Sequence, residues 1–122
     1  MAIQSDSSFM EGQSINRPPL FDGTNYNYWK ARMKIFIQAM DYDLWFTIIE
    51  GPQISTHTVN NEVIPKSNRE WSDSDKKLAQ LNAKAMNVLY WSLDANEFNR
   101  VSVCSSAKKI WDRLEITHER TN

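Results

Sequence analysis

Apolar residues at helical intervals, in a chain with little glycine, constrain the fold most. The first such series runs from Tyr26 to Met40 and has steps of four, three and four: Trp29, Met33, Phe36 and Met40. This spacing puts one face of a helix in a core. Only three of the 122 residues are glycine, whereas a β-sandwich or barrel needs many turn residues. The sequence therefore predicts an all-α fold.

Residues that cap or end helices predict where the first two begin and end. Gly23 permits a tight turn, and Thr24 or Asn25 can accept hydrogen bonds from the first amides of helix one. Asp41 or Asp43 can cap a short second helix. That helix is expected to end before Gly51-Pro52, because this pair is a strong stop signal.

The later part of the chain predicts three more helices. Ser72 and the acids after it suit the start of a long third helix. Asp94 can cap a short fourth helix, and Ser105 or Ser106 can cap the last one. The prediction is a compact bundle of about five helices.

The segment 53–67 separates helices two and three. Asn60-Asn61 lies within it between short runs that contain Thr and Val, so either a long loop or a small hairpin fits. Its length makes it a candidate contact loop.

The predicted domain occupies residues 20–119. Residues 1–19 are polar and contain Arg17-Pro18-Pro19, which predicts a flexible N-terminal arm. Residues 120–122 form a tail or a truncation point. The residues expected in the core or in a structural role are Phe21, Tyr26, Trp29, Met33, Phe36, Leu44, Trp45, Trp71, Leu81, Leu89, Ile110, Trp111 and Leu114.

Charge and cysteine content narrow the class of protein. Fourteen basic residues offset fifteen acidic ones, whereas a nucleic-acid module usually has a basic balance or a basic face. Cys104 is the only cysteine, so no internal disulfide can form. With no apolar leader or membrane span in the sequence, a cytoplasmic protein without a membrane partner is expected.

No arrangement of residues typical of catalysis is visible. Cys104 lies in an apolar run and is expected in the core, while His57 and His118 lack the spacing of metal ligands. None of the glycines belongs to a phosphate-binding loop. We therefore expect no enzyme activity, no cofactor and no metal.

Two groups of residues remain as candidates for contacts. The weaker group, for RNA, consists of basic residues interspersed with acids: Lys76, Lys77, Lys108, Lys109 and Arg113. The second group, for self-association, lies in two short stretches with more apolar surface than one buried face can hold: Trp45, Phe46, Tyr90 and Trp91.

The order of the aromatic motifs is distinctive over about residues 19–119. The motifs are Phe21-Asp22-Gly23-Thr24-Asn25-Tyr26, Trp29 with Met33, Asp43-Leu44-Trp45, Trp71 before Asp75, and Ala107-Lys108-Lys109-Ile110-Trp111-Asp112-Arg113-Leu114. This combination resembles the N-terminal part of Gag from plant copia-type (Ty1/copia) LTR retrotransposons. The resemblance implies a helical domain, similar to the N-terminal lobe of retroviral capsids, whose copies pack into a virus-like particle around the RNA of the element.

The resemblance also sets expectations about partners. A capsid domain would bind itself or full-length Gag, and would meet RNA only indirectly. Members of the family continue into a second lobe and commonly a zinc knuckle that binds RNA, whereas this sequence stops at Asn122. A truncated or host-retained Gag module that binds Gag or a host protein is therefore the alternative, with weak direct RNA binding third.

Overall fold

Five helices and one hairpin make up the part of the chain that the structure describes. This structure is a computed structural model that describes residues 17–52, 56–65 and 67–119. In order, its elements are α1 (Tyr26–Met40), α2 (Tyr42–Glu50), β1 (Thr56–Val59), β2 (Glu62–Pro65), a 3-10 turn (Asn68–Glu70), α3 (Asp73–Trp91), α4 (Ala95–Val101) and α5 (Ala107–Glu119). The predicted all-α bundle of about five helices is confirmed. Residues 1–16 and 120–122 of the predicted arm and tail lie outside the described residues.

The segment between α2 and α3 contains the hairpin rather than only a loop. β1 and β2 pair antiparallel, with Val59 opposite Glu62. Asn60 and Asn61 form the turn with φ of 53° and 66°. A two-residue turn of this kind needs positive φ at both positions, which asparagine tolerates better than most residues.

Most of the predicted helix caps are present. Asp41 accepts a hydrogen bond from the Asp43 amide, and Asp94 accepts one from the Glu97 amide. Ser106, rather than Ser105, caps α5 by accepting from the Lys109 amide.

The start of α1 differs from the prediction. Asn25 precedes this helix with φ of 54°, and its side chain makes no capping hydrogen bond. Asp22 instead accepts hydrogen bonds from the amide and the hydroxyl of Thr24. The short aspartate side chain closes the turn at Gly23 before the helix begins, and Asn25 contributes its backbone carbonyl, which accepts from the Trp29 amide.

A reciprocal pair of hydrogen bonds begins α3. The Ser72 hydroxyl accepts from the Asp75 amide at 3.2 Å, and the Asp75 carboxylate accepts from the Ser72 amide at 2.9 Å. We expect Ser72→Ala to lower the free energy of unfolding by about 1 kcal/mol, because an amide loses its acceptor. Urea titration would measure this loss. Ser74→Ala, in the same turn, should change little, and an equal loss in both variants would contradict the role of the cap.

One face of each helix contributes to the core. Of the predicted core residues, ten are buried: Phe21, Tyr26, Trp29, Met33, Leu44, Trp45, Leu89, Ile110, Trp111 and Leu114. Phe36, Trp71 and Leu81 are half-buried. Buried residues outside that list include Ile37, Ile48, Ala85, Val88 and Val101.

The buried face of α1 is shifted from the predicted one. Its buried residues are Tyr26, Trp29, Met33 and Ile37. Met40 is 50% exposed, and Phe36 lies at the edge of the core. Trp29 and Met33 belong to both possible faces, and packing in the bundle selects Ile37 to complete the buried one.

An extended segment before α1 is held inside the fold by backbone hydrogen bonds. The Phe21 amide donates to the Ser92 carbonyl at 2.7 Å, and the Asp94 amide donates to the Phe21 carbonyl at 3.1 Å. The Phe21 ring, fully buried, stacks on Trp29 with centroids 5.0 Å apart. The segment thereby connects the start of α1 to the junction of α3 and α4.

Candidate assembly surface

The four residues predicted for self-association do not form one surface. The prediction that Trp45 lies at the surface is wrong, since this residue is 8% exposed and its ring lies edge-on to Trp111 at 5.5 Å. Tyr90 is half-buried and packs against Phe98 at 4.8 Å. Phe46 and Trp91 are accessible, at 46% and 52% exposure. The helix period explains the outcome for Trp45 and Phe46, because adjacent positions lie about 100° apart around the axis.

The outer face of α2 is apolar with acidic residues beside it. Tyr42, Phe46 and Ile49 are exposed at helical spacing. The rings of Tyr42 and Phe46 lie 5.7 Å apart. Asp43 and Glu50 are exposed on the same side of the helix, since they lie three residues before and four residues after Phe46. This set of five residues is called the acidic face below.

A shallow groove continues the acidic face toward α3. It has a volume of roughly 160 Å³, and its lining includes Asp43, Phe46, Glu50, Leu78 and Leu81. Apolar side chains of two helices thus meet beneath two carboxylates. Such a groove suits an apolar group that carries a positive charge beside it.

The outer face of α1 is apolar with basic residues beside it. Tyr28 and Ile35 are 66% and 62% exposed. Arg32 lies between them on the same side of the helix, with its guanidinium 5.4 Å from the centre of the Tyr28 ring. Lys34 is exposed on the side of α1 that faces α2, about 100° around the axis from Ile35, with its ammonium 5.8 Å from the Trp45 ring. These four residues are called the basic face below.

Lys30, the remaining cation of α1, is engaged inside the bundle. Its ammonium lies 2.8 Å from Glu115 and 3.3 Å from Glu119, both on α5. The hydrogen bond from Lys30 lowers the pKa of the Glu115 carboxyl from its ordinary value. Lys30 therefore holds α1 against α5, whereas Arg32 and Lys34 are oriented toward solvent.

A buried polar pair that the sequence prediction missed connects α4 to α5. The His118 Nε2 atom lies 2.7 Å from a carboxylate oxygen of Glu97, and both side chains are largely buried. Phe21 lies edge-on to the His118 ring at 4.8 Å, and Tyr26 stacks on it at 5.6 Å. Burial raises the pKa of the Tyr26 phenol, as do the nearby carboxylates of α5. This site is enclosed by the fold, so its contacts stabilise the bundle.

The five basic residues suggested for RNA contact are not arranged as a groove. Lys108 lies 2.7 Å from Asp112, and Lys109 donates to the Ser105 hydroxyl. Lys76 and Lys77 line a shallow depression on α3 together with Asp73. Arg113 is exposed on α5. Acidic or polar neighbours accompany most of these cations, which is typical of a solvated helix surface.

The remaining features that bear on function are few. Cys104 is buried, as the sequence predicted. Within residues 17–52, 56–65 and 67–119, no group of three or more His, Cys, Asp and Glu is placed to hold a metal ion. No helix in the described part is long and apolar enough to cross a membrane.

The surface that the geometry defines is a pair of adjacent helix faces, each apolar and each with charge of one sign. Comparison with known proteins returned no match to a protein family, a curated protein or a solved structure. These faces and the resemblance of the motifs are therefore the features that bear on function.

Proposed function

We propose that this domain is a structural assembly unit of the copia Gag type, whose copies associate through their outer helix faces to build a particle. The observation that carries the proposal is the exposure of large apolar side chains on α1 and α2 although the bundle already encloses a complete core. Contiguous exposed apolar groups of this kind mark sites of protein association.

The motif resemblance gives the association its biological setting. The apolar residues of these motifs, including Phe21, Trp29 and Trp111, are buried and stabilise the bundle. The outer faces lie on the exposed sides of α1 and α2. The apolar motif residues thus account for the fold, whereas exposed residues of α1 and α2, among them Asp43 of the third motif, are the proposed contacts between copies.

The proposed contacts are individually weak. Each outer face has only two or three large apolar side chains. A stable interface, by comparison, buries about 20–30 residues on each partner. Shells gain their stability because many weak contacts act together. Light scattering after size exclusion, from about micromolar to near millimolar protein, tests the proposal by the growth of mass with concentration. A constant mass of 14.3 kDa would contradict it.

Phe46→Asp tests the apolar part of the surface. We expect it to weaken self-association at least about tenfold, because a charge would replace an aromatic ring in the contact. The same light-scattering series measures the change. Val103→Asp, at a position 81% exposed in the turn after α4, is the matched control. Equal weakening in both variants would show that added charge, rather than loss of the Phe46 ring, is responsible.

A Gag-derived module that acts on full-length Gag would use the same faces. Co-purification with full-length Gag in the absence of self-association would favour this alternative.

A further inference from the structure

The outer faces of α1 and α2 have opposite charge. Helix α1 contains three basic residues and no acidic one. Helix α2 contains Asp43 and Glu50 and no basic residue, and Asp41 precedes it. This separation is hidden in the whole chain, whose net charge is −1. Two neighbouring helices therefore present complementary charge to the outside.

The charged residues of these faces are available for a partner. Among the described residues, neither Arg32 nor Lys34 forms an ion pair, and each instead lies beside an aromatic ring. Asp43 and Glu50 are exposed and likewise lack an ion pair within the described part of the chain. Exposed charges in such positions steer an encounter with a surface of the opposite sign.

We infer that copies associate head to tail, an inference that rests on the proposed function. The basic face of one copy docks on the acidic face and the adjoining groove of the next. A second copy of this chain is the occupant that the charges fit. A symmetric contact between two acidic faces would bring Asp43 and Glu50 toward the same carboxylates of the partner. Like charges in an interface oppose association, and the same holds for two basic faces.

The side chains on the two faces are also suited to each other. Tyr28 and Ile35 of one copy supply apolar groups for the Phe46 side of the groove in the next copy. Arg32 lies between them, and its planar guanidinium can form paired hydrogen bonds with a carboxylate such as Asp43 or Glu50. Apolar contact then supplies the attraction, while the charges fix orientation and partner face.

A head-to-tail contact leaves one free face at each end of every complex. Growth therefore continues beyond a dimer, to a closed ring or an open chain. A two-fold contact, either between like faces or with both faces of each copy paired at once, would stop at two copies, so a mass that levels off at a dimer would overturn the head-to-tail contact. Association by opposite charges should also weaken as salt is raised from about 0.05 M to about 0.5 M, since the screening length shortens severalfold.

Two charge-reversal variants test the inference. Arg32→Glu with Lys34→Glu makes both outer faces of the chain acidic. Asp43→Lys with Glu50→Lys makes both faces basic and keeps Asp41, which caps α2. Each variant alone should associate at least about tenfold more weakly than the wild-type chain in light scattering at low salt. An equimolar mixture should recover association, because the unchanged acidic face of one variant meets the unchanged basic face of the other.

Controls separate this result from damage to the fold. Circular dichroism and urea titration should show folded chains in both variants, since all four positions are at the surface. Reversal of two exposed cations on the outer side of α5, Lys109→Glu with Arg113→Glu, changes as much charge away from both faces and should leave association unchanged.

The outcomes distinguish this inference from the proposed function. If the wild-type chain assembles and both variants assemble equally well, the head-to-tail contact is overturned but the proposed assembly function stands. The same conclusion would follow if both folded variants were monomeric and their mixture stayed so. Wild-type chain that stays monomeric would overturn the assembly function and the contact together.

Discussion

Phe21→Ala should lower the free energy of unfolding by about 3–5 kcal/mol, the usual loss for truncation of a buried aromatic ring. Phe21 is fully buried and contacts the rings of Tyr26, Trp29 and His118. The cavity would open where four parts of the chain meet, so surrounding groups have little freedom to fill it. A domain of this size is stable by only about 5–15 kcal/mol. This single change should therefore remove a large share of the stability.

Urea titration followed by tryptophan fluorescence measures this effect. Leu20→Ala is the matched control, since the neighbouring side chain is 66% exposed and should contribute within about 0.5 kcal/mol. A loss for Phe21→Ala as small as that for Leu20→Ala would mean that the segment acts through its backbone hydrogen bonds with Ser92 and Asp94 rather than through the Phe21 ring.

His118→Ala should lower the free energy of unfolding by about 3 kcal/mol, because it leaves the Glu97 carboxylate buried without its near partner. The Glu97 side chain is 4% exposed, and Arg100 approaches it only to 3.9 Å. The substitution also removes the ring that packs between Phe21 and Tyr26. Loss of packing and loss of the hydrogen bond act in the same direction.

A second substitution separates the two contributions. His118→Phe keeps an aromatic ring in place but cannot donate to Glu97, so most of the loss should persist. Thermal or urea unfolding measures both variants, with Ile116→Ala on the exposed side of α5 as the control. Full stability in His118→Phe would show that packing alone matters at this position.

Local signals in the sequence predicted the helices and most of their caps. These signals act within a few residues, so the order of residues is enough to identify them. They are the pair Ser72 and Asp75, the cap Asp94, and Gly51 at the end of α2. Asn60-Asn61 made a hairpin one of two alternatives for the same reason, since such a turn depends on the backbone preference of these two residues.

Contacts between distant residues were not predictable in this way. Glu97 and His118 are 21 positions apart, and their pairing depends on how α4 and α5 meet. The choice of Ile37 over Met40 for the buried face of α1 likewise depends on the neighbouring helices. Sequence analysis suggested an interface from apolar excess and named Trp45 and Phe46 together, whereas only the phase of α2 shows which one faces outward.

The separation of charge between α1 and α2 was present in the sequence but was obscured by the overall balance. Counting charge over the chain gives nearly zero. The structure is needed to show that Arg32 and Lys34 are exposed, whereas Lys30 forms ion pairs within the bundle.

Asp41 is the single residue between α1 and α2, and its extended backbone ends one helix while its side chain caps the other. A connection of one residue, together with the packing of α2 in the bundle, leaves the two helix axes little freedom, so the angle between them is the same in every copy. In the proposed array, this angle contributes directly to the rotation from each copy to the next, and hence to the curvature of the wall. A change in this angle would therefore alter the diameter of the proposed particle even with both contact faces unchanged.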